Sequence, residues 1–155
     1  IGLYETTLKR KGKMNSFYLR SIEEMGGYPK EEKVIEPPSC DLHHTKWFGV
    51  FRYLKSYKQG EITTNKKLIA YCGLARDGDL AVITFLFGHN DYLKNAVMFY
   101  LLINIVKNVL IIDKRPSCLH YWSMSGLEEP KIISWKKRML FEPAYLYSKP
   151  IRTGV

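Results

Sequence analysis

The fold of this 155-residue chain is decided by Asp79-Leu-Ala-Val-Ile-Thr-Phe-Leu-Phe-Gly-His-Asn-Asp-Tyr-Leu-Lys-Asn-Ala-Val-Met-Phe-Tyr-Leu-Leu102. An apolar run of strand-forming residues ends at Gly88-His89, and an apolar helix begins a few residues later. A strand that ends in a glycine turn before a helix directs free backbone N–H groups, and the positive end of the helix dipole, at one point. The stretch therefore predicts a place that can hold an anion or a polarised carbonyl group.

Length and composition predict one globular domain, residues 1–155, with a sizeable core. Apolar residues make up 46% of the chain, which excludes a disordered or fibrous protein. The longest apolar stretch, Ala96 to Ile112, is interrupted by polar residues and is short for a bilayer span. No leader sequence is visible, and three cysteines without a CxxC pair argue against a disulfide framework and a zinc site. We therefore expect a cytoplasmic protein with reduced thiols, no metal and no membrane partner.

The net charge of +9 favours acidic partners such as phosphates or nucleic acid. Tyrosine and tryptophan beside lysine also suit stacking on single-stranded nucleic acid. However, no RNP-like, helix-turn-helix or KH signature is present, and most aromatic residues fall on predicted core strands. Nucleic acid is therefore a possible partner, ranked below a small-molecule or peptide ligand.

The order of predicted elements is β-α-(α)-β-β-β-α-β-α-β. Asp77-Gly78 is a strong hairpin signal, because Gly supplies the positive φ of a tight turn. A second hairpin loop is expected at 56–64. The predicted strands are residues 2–8, 47–54, 67–75, 80–87, 118–124 and 144–147, and the predicted helices begin at 15 or 16 and span 92–110 and 128–139.

Two stretches share features with a known family. Lys67-Leu-Ile-Ala-Tyr-Cys-Gly-Leu-Ala-Arg-Asp-Gly-Asp-Leu-Ala-Val-Ile83 forms a hairpin that leads into the helix at Tyr92. Trp135-Lys-Lys-Arg-Met-Leu-Phe-Glu-Pro-Ala-Tyr-Leu-Tyr147 joins a helix to a final strand. With the element order, they resemble the GNAT superfamily of N-acetyltransferases, with Leu140 where glycine is usual. The resemblance implies an α/β (α+β) fold: a mixed, mainly antiparallel central sheet of about six or seven strands, with helices on both faces.

The pyrophosphate loop departs from the pattern of this family. The family has Arg or Gln, then Gly, then Gly or Ala, at the positions that are Leu93, Ala96 and Met98 here. Glycines there let the backbone approach the pyrophosphate closely. Three interpretations remain open: looser phosphate binding assisted by Lys94, a different acyl carrier, or loss of acyl-CoA binding.

The resemblance implies transfer of an acyl group from acetyl-CoA or another acyl-CoA to an amine by direct attack in a ternary complex. His89 is the expected base, and Tyr145 (with Tyr147 nearby) the expected acid for the leaving thiolate. The alternative for His89 is a cap on the following helix, for which Asp91 is the simplest N-cap. Residues expected to contact the acyl-CoA are the strand backbone of Phe85, Leu86 and Phe87 and the loop residues Lys94, Asn95, Ala96, Val97 and Met98.

Other sequence features admit different chemistry. Cys118 and His120 share a face of one predicted strand and could form a nucleophile pair. Cys40-Asp41 with His43-His44 resembles a metal cluster in composition, but the spacing matches no standard site and favours a polar loop. A different class of function is a non-catalytic GNAT-fold binding module for a phosphorylated ligand, an RNA or a protein partner. The partner that the resemblance implies is a small-molecule or peptide amine acceptor, and the sequence identifies neither that amine nor the oligomeric state.

Overall fold

The computed structural model describes residues 21, 23–24, 26–28, 30, 37–121 and 130–144. The chain divides into two compact units, Ile1–Trp122 and Ser123–Val155. The elements of the first unit are β1 (His43–Gln59), β2 (Ile62–Asp77), β3 (Leu80–Gly88), a 3-10 turn (Asn90–Asn95), α1 (Val97–Val106), a π-helical continuation (Lys107–Asp113) and β4 (Cys118–Tyr121). The second unit contains α2 (Pro130–Arg138).

The described strands form one mixed sheet in the order β1-β2-β3-β4. The first two pairs are antiparallel, and β4 runs parallel to β3. A parallel neighbour requires a crossover, and α1 supplies it. The turn between β2 and β3 lies at Asp77-Gly78 as predicted, with Gly78 at φ 61°. The expected α+β arrangement with a mixed, mainly antiparallel sheet is thereby confirmed at the level of these four strands.

The prediction of a long hairpin loop at 56–64 is wrong. β1 continues to Gln59 and β2 begins at Ile62, so only Gly60 and Glu61 lie between them. Tyr57 pairs with Thr64 in this outer part of the ladder. The segment is polar, which suggests a loop, but β-branched and aromatic residues favour extended pairing once a partner strand is present.

The continuous helix predicted at 92–110 is interrupted. A 3-10 turn comes first, and α1 begins only at Val97, because Ala96 adopts the left-handed conformation with φ 55°. The Ala96 N–H donates to the carbonyl of Leu93 at 3.2 Å and closes the turn. A left-handed residue cannot continue a right-handed helix, so the 3-10 turn and α1 are two separate hydrogen-bonded segments.

The core of the first unit lies between α1 and one face of the sheet. Helix α1 packs across β1, β2 and β3. Alternate residues of the strands and a helical stripe contribute buried side chains, in agreement with periods of 2 and 3.6. The buried apolar residues are Ala70, Cys72, Leu74, Ala81, Ile83, Phe87, Val97, Leu101, Leu102, Ile105 and Val109.

A buried ion pair connects β2 to the segment after α1. Arg76, whose side chain is 4% exposed, donates from Nη1 to Asp113 Oδ2 at 3.0 Å and from Nε to the Gly78 carbonyl at 2.9 Å. The hydrogen bond from Arg115, with the charges of Arg115, Arg76 and Lys46, lowers the pKa of the Asp113 carboxyl. The pair lines a cavity of about 330 Å³ between the sheet and the C-terminal end of the helical segment.

Several predicted elements lie outside the described residues: the strand at 2–8, residues 122–124 of the strand at 118–124, and the last strand beyond Ala144. The helix predicted to begin at 15 or 16 also lies largely outside them, but Ser21, Glu23 and Glu24 are described and are not helical, so its last part is wrong. Residues 130–138 of the predicted last helix are described as α2, which confirms that part of it. No helix in the described part of the chain combines the length and apolarity needed to cross a bilayer. Whether the whole chain is a single domain stays a prediction.

Candidate functional site

A β-bulge in β3 lies just before the end of the strand. Gly73 pairs with Phe85 and Leu74 pairs with Ile83, so Thr84 is the extra residue. Its Oγ1 donates to the Gly73 carbonyl at 3.0 Å. Bulges bend a strand and redirect its side chains, and they are common beside functional sites. The described parallel pairing with β4 reaches Ile83, whose partner Tyr121 is the last described residue of that strand.

The bulge changes the face of the sheet on which alternate side chains of β3 lie. Before it, Ala81 and Ile83 are buried under α1. After it, the ring of Phe85 stacks on Trp47 at 6.3 Å between centroids, and the ring of Phe87 contacts Tyr71 at 6.2 Å. Phe85, Leu86 and Phe87, predicted to supply backbone groups, therefore lie together on the segment that the bulge redirects.

His89 lies at the junction of β3 and the 3-10 turn and is only 3% exposed. Its backbone N–H donates to the Ile69 carbonyl at 2.8 Å, and its Nδ1 accepts from the Asp91 N–H at 3.3 Å. The ring also meets the edge of Tyr92, with centroids 5.0 Å apart. His89 is thus the N-cap of the turn, and the expectation that Asp91 is the N-cap is wrong.

The capping bond decides which nitrogen of His89 carries the proton. Because Nδ1 accepts a backbone N–H, the neutral imidazole holds its hydrogen on Nε2. In that tautomer the ring donates through Nε2. It becomes a base only when Nδ1 gives up the Asp91 bond and takes the proton itself. The role of His89 as the base stays a prediction, and it requires that Nδ1 release the Asp91 N–H.

The predicted pyrophosphate loop is divided between core and surface. Leu93 and Met98 pack over Gly88: a Cβ at Gly88 would lie 2.8 Å from Leu93 Cδ2 and closer still to Met98 Sδ. Val97 is buried in the core. The remaining predicted contacts are exposed at the start of α1: Lys94, Asn95 and Ala96. Only these three present side chains to a ligand there, so Val97 and Met98 could contribute through the backbone.

Positive φ marks two positions where the sequence resemblance expects glycine. Ala96 has φ 55°, and Leu140 in the second unit has φ 62°. Leu140 follows α2, where its N–H donates to the Lys137 carbonyl and the next N–H donates to the Lys136 carbonyl. This is the hydrogen-bond pattern of a helix C-cap that normally holds glycine. Lys114 is the other non-glycine residue of the described segments with positive φ.

Two cations that the sequence analysis missed converge on the 3-10 turn. Arg52 donates to the Tyr92 hydroxyl at 3.1 Å, and its guanidinium lies 5.5 Å from the centre of that ring. The Lys67 ammonium lies 5.7 Å from the same centre and 5.5 Å from that of Tyr57. Arg52 and Lys67 are directly opposite in the β1–β2 ladder. No local pattern announces this cluster, since Arg52 and Tyr92 are 40 residues apart.

The sequence also contains a possible nucleophile pair, Cys118 with His120, and a group with the composition of a metal cluster. Cys118 is exposed and His120 half-buried on β4, and no hydrogen bond joins their side chains. Within the described ranges, no group of three His, Cys, Asp or Glu residues is arranged to hold a metal. Tyr145 and Tyr147 lie outside the described residues.

Comparison of the chain with models of known protein families, with curated proteins and with solved structures finds no match.

Proposed function

We propose that this protein transfers an acyl group from an acyl-CoA-type thioester to an amine, as GNAT N-acyltransferases do. The observation that carries the proposal is the backbone conformation of Ala96 and Leu140. Both are positions where the resemblance expects glycine, and both adopt the left-handed conformation that glycine favours. Positive φ is uncommon for residues with a Cβ, so this agreement supports the alignment at both ends of the resemblance.

The topology around β3 supports the same proposal. A strand with a bulge at Thr84, a turn, a helix and a parallel strand follow one another. The bulge takes only Thr84 out of the β2–β3 ladder, because Phe85, Leu86 and Phe87 pair with Gly73, Cys72 and Tyr71. An extended ligand arm would therefore pair with the other edge of this segment, beyond the described pairing with β4. Phe85, Leu86 and Phe87 occupy the segment where such pairing would hold a thioester next to the start of α1.

The residues at the start of α1 fit a phosphate group. The first N–H groups of α1 have no partner within the helix, and the positive end of the dipole lies there. Exposed Lys94 adds a positive charge, and Ala96 in its left-handed conformation ends the 3-10 turn where α1 begins. In the reaction an amine attacks the thioester carbonyl and loses a proton, and the thiolate leaves. His89 takes that proton only after releasing the Asp91 N–H, and otherwise donates a hydrogen bond through Nε2.

Ligand-dependent stability tests the proposal directly. A ligand that binds only the folded protein stabilises it by about 2.7 kcal/mol at a hundredfold excess over its Kd. We expect acetyl-CoA to raise Tm in a saturable way. Lys94→Glu should weaken this shift, and Lys107→Glu is the matched control, because Lys107 is an exposed lysine at the other end of α1. No shift with acetyl-CoA or longer acyl-CoAs would contradict the proposal.

Two substitutions separate the roles of His89. Asn at this position keeps an acceptor close to where Nδ1 lies but lacks Nε2, whereas Ala lacks both. If His89 only caps the turn, His89→Asn should retain most acetyl transfer, measured with a saturating mixture of amines and peptides. If Nε2 takes part in the reaction, His89→Asn should lose about 100-fold in rate while binding of acetyl-CoA is preserved.

A second candidate function is binding of single-stranded nucleic acid, and the outer β1–β2 hairpin favours it. Residues 52–67 contain five cationic side chains and a single carboxylate, Glu61. Tyr53 is 70% exposed, with the Lys66 ammonium 5.8 Å from its ring centre. An exposed ring beside cations can stack on a base while the cations contact phosphates.

Fluorescence anisotropy with a labelled 12-nucleotide RNA tests this second candidate. We expect replacement of Lys55, Lys58 and Lys66 by Gln to reduce the slope of log K against log salt by about 2. The same change at three exposed lysines elsewhere, Lys107, Lys114 and Lys131, should leave that slope unchanged. Equal losses in the two triple variants would mean that only net charge matters and would exclude the hairpin as the site.

A further inference from the structure

Three side chains that the proposed acyl-CoA site does not use meet where β1 begins and β2 ends: Cys40 in the loop before β1, His43 as the first residue of β1 and Asp77 as the last residue of β2. Cys40 Sγ lies 3.4 Å from His43 Nδ1, and His43 Nε2 lies 3.3 Å from Asp77 Oδ1. His43 and Asp77 are direct partners in the β1–β2 ladder, so backbone pairing holds the carboxylate beside the imidazole. A nucleophile within reach of a base, which a third group orients, is the arrangement used in covalent catalysis.

The loop also stabilises the negative charge of the Cys40 thiolate. The hydrogen bond with His43 lowers the pKa of Cys40, and backbone hydrogen bonds from Leu42 and His43 lower it further. The same bond raises the pKa of His43, which favours an imidazolium beside a thiolate. The side chain of Cys40 is half-buried rather than enclosed, so a small reagent can reach the sulfur.

The other two cysteines lack this environment and serve as internal references. Cys72 lies in the core, where burial raises its pKa to about 12. Cys118 is exposed, but its side chain makes no hydrogen bond in the described part of the chain. Exposure alone therefore does not distinguish Cys40 from Cys118, whereas the contact with His43 does.

We propose that Cys40, His43 and Asp77 form a nucleophilic triad that takes the acyl group from a small thioester and holds it as S-acyl-Cys40. His43 Nδ1 accepts the proton of Cys40, and the sulfur attacks the thioester carbonyl. The carbon–sulfur bond to Cys40 forms as the bond to the donor thiol breaks. The leaving thiolate takes the proton from His43, so one thioester and one thiol are exchanged for another pair without an oxidant or a reductant.

This reaction is independent of the acyl-CoA site because it requires no residue of the 3-10 turn or of α1. The donor in the test is S-acetyl-N-acetylcysteamine, a thioester that carries no nucleotide. The outcome of the test with this donor is therefore independent of the outcome of the acetyl-CoA experiment above. The protein is incubated with this donor, digested and analysed by mass spectrometry. Hydroxylamine at neutral pH then removes acetyl groups from thioesters and leaves amides intact.

We expect a hydroxylamine-sensitive acetyl group on Cys40, formed at least tenfold faster than on Cys118 and without reaction at Cys72. His43→Gln should slow acetylation of Cys40 by about 100-fold. His120→Gln is the matched control beside Cys118 and should change nothing at Cys40. The side chains of His43 and Asp77 are 63% and 80% exposed, so their substitution should leave the fold intact. Equal acetylation of Cys40 and Cys118, or an unchanged rate in His43→Gln, would overturn the proposal.

The role of Asp77 as a positioning residue has a separate readout. The rate of alkylation of Cys40 by iodoacetamide as a function of pH reports the thiolate population. We expect Asp77→Asn to move this profile to higher pH by a smaller amount than His43→Gln, because it removes only the carboxylate that favours the imidazolium. An identical profile in Asp77→Asn and the unmodified protein would exclude Asp77 from the triad.

Discussion

The left-handed conformation of Ala96 leads to a quantitative prediction for Ala96→Gly. An L-residue in this conformation is destabilised by roughly 1–2 kcal/mol because its Cβ approaches the following carbonyl. Glycine avoids this strain but gains chain entropy in the unfolded state, which offsets about 0.4–1 kcal/mol. Ala96 is exposed, so removal of its methyl group sacrifices little apolar burial. The expected net gain is about 0.5–1 kcal/mol.

Urea denaturation followed by circular dichroism measures this gain. For a chain of this size, about 1 kcal/mol corresponds to a rise in Tm of about 2–4 °C. The m value should stay constant, since the substitution changes stability and not the surface exposed on unfolding. The midpoint should increase in the order Val, Ala, Asn, Gly at position 96, because tolerance of positive φ increases in that order.

A variant Ala96→Gly that is less stable than the unmodified protein would refute this reasoning. So would a Val variant equal in stability to Ala, because a β-branched side chain is the least compatible with positive φ. Either result would mean that residue 96 does not end the 3-10 turn in a left-handed conformation. It would also remove the main support for aligning Ala96 with the glycine of the GNAT loop.

Three further predictions test other parts of the structure. Leu140→Gly should stabilise the protein by about 1 kcal/mol in the same denaturation assay, because Leu140 has φ 62° and its side chain is 89% exposed. A loss of stability in this variant would contradict the role of Leu140 as the C-cap. Asp113→Ala should destabilise by roughly 3 kcal/mol, because it leaves the buried Arg76 guanidinium without its carboxylate. The hydrogen bond from Arg115, together with the charges of Arg115 and Arg76, lowers the pKa of Asp113 below its ordinary 3.8. The contribution of the Asp113 carboxylate should therefore be complete above that pH and disappear as the pH falls through the lowered pKa; a constant difference between variant and parent down to pH 2 would refute it. Gly88→Ala should cost about 1–3 kcal/mol by steric contact with Met98 and Leu93. Met98→Ala should relieve part of that cost in a double-mutant cycle, because the contact with Leu93 remains, whereas additive losses would exclude the contact with Met98.

Elements with strong local signals could be predicted from the sequence. The Asp77-Gly78 hairpin and β3 were predicted with nearly correct bounds, because turn chemistry and a run of strand-forming residues act over a few positions. Residues 56–64 misled the prediction because their polarity resembles a loop, whereas their backbone pairs across the ladder. The break at Ala96 has no local signal, since alanine is the best helix former and its left-handed conformation is imposed by the turn before it.

Some residues of the candidate sites could likewise be predicted from local signals, whereas their contacts depend on the tertiary structure. Phe85, His89 and Lys94 could be selected from the sequence, because a strand, a glycine turn and a helix start place them near one another along the chain. The cap made by His89, the cations around Tyr92 and the contact of His43 with Asp77 depend on partners brought together by strand register.

The sequence by itself therefore determined the local elements and their order, because propensity, periodicity and turn chemistry are properties of neighbouring residues. Only the tertiary structure decided which side chains share a site. His43 meets Asp77 because β1 pairs with β2 in one register, and a shift of that register by one residue would place the two side chains on opposite faces of the sheet.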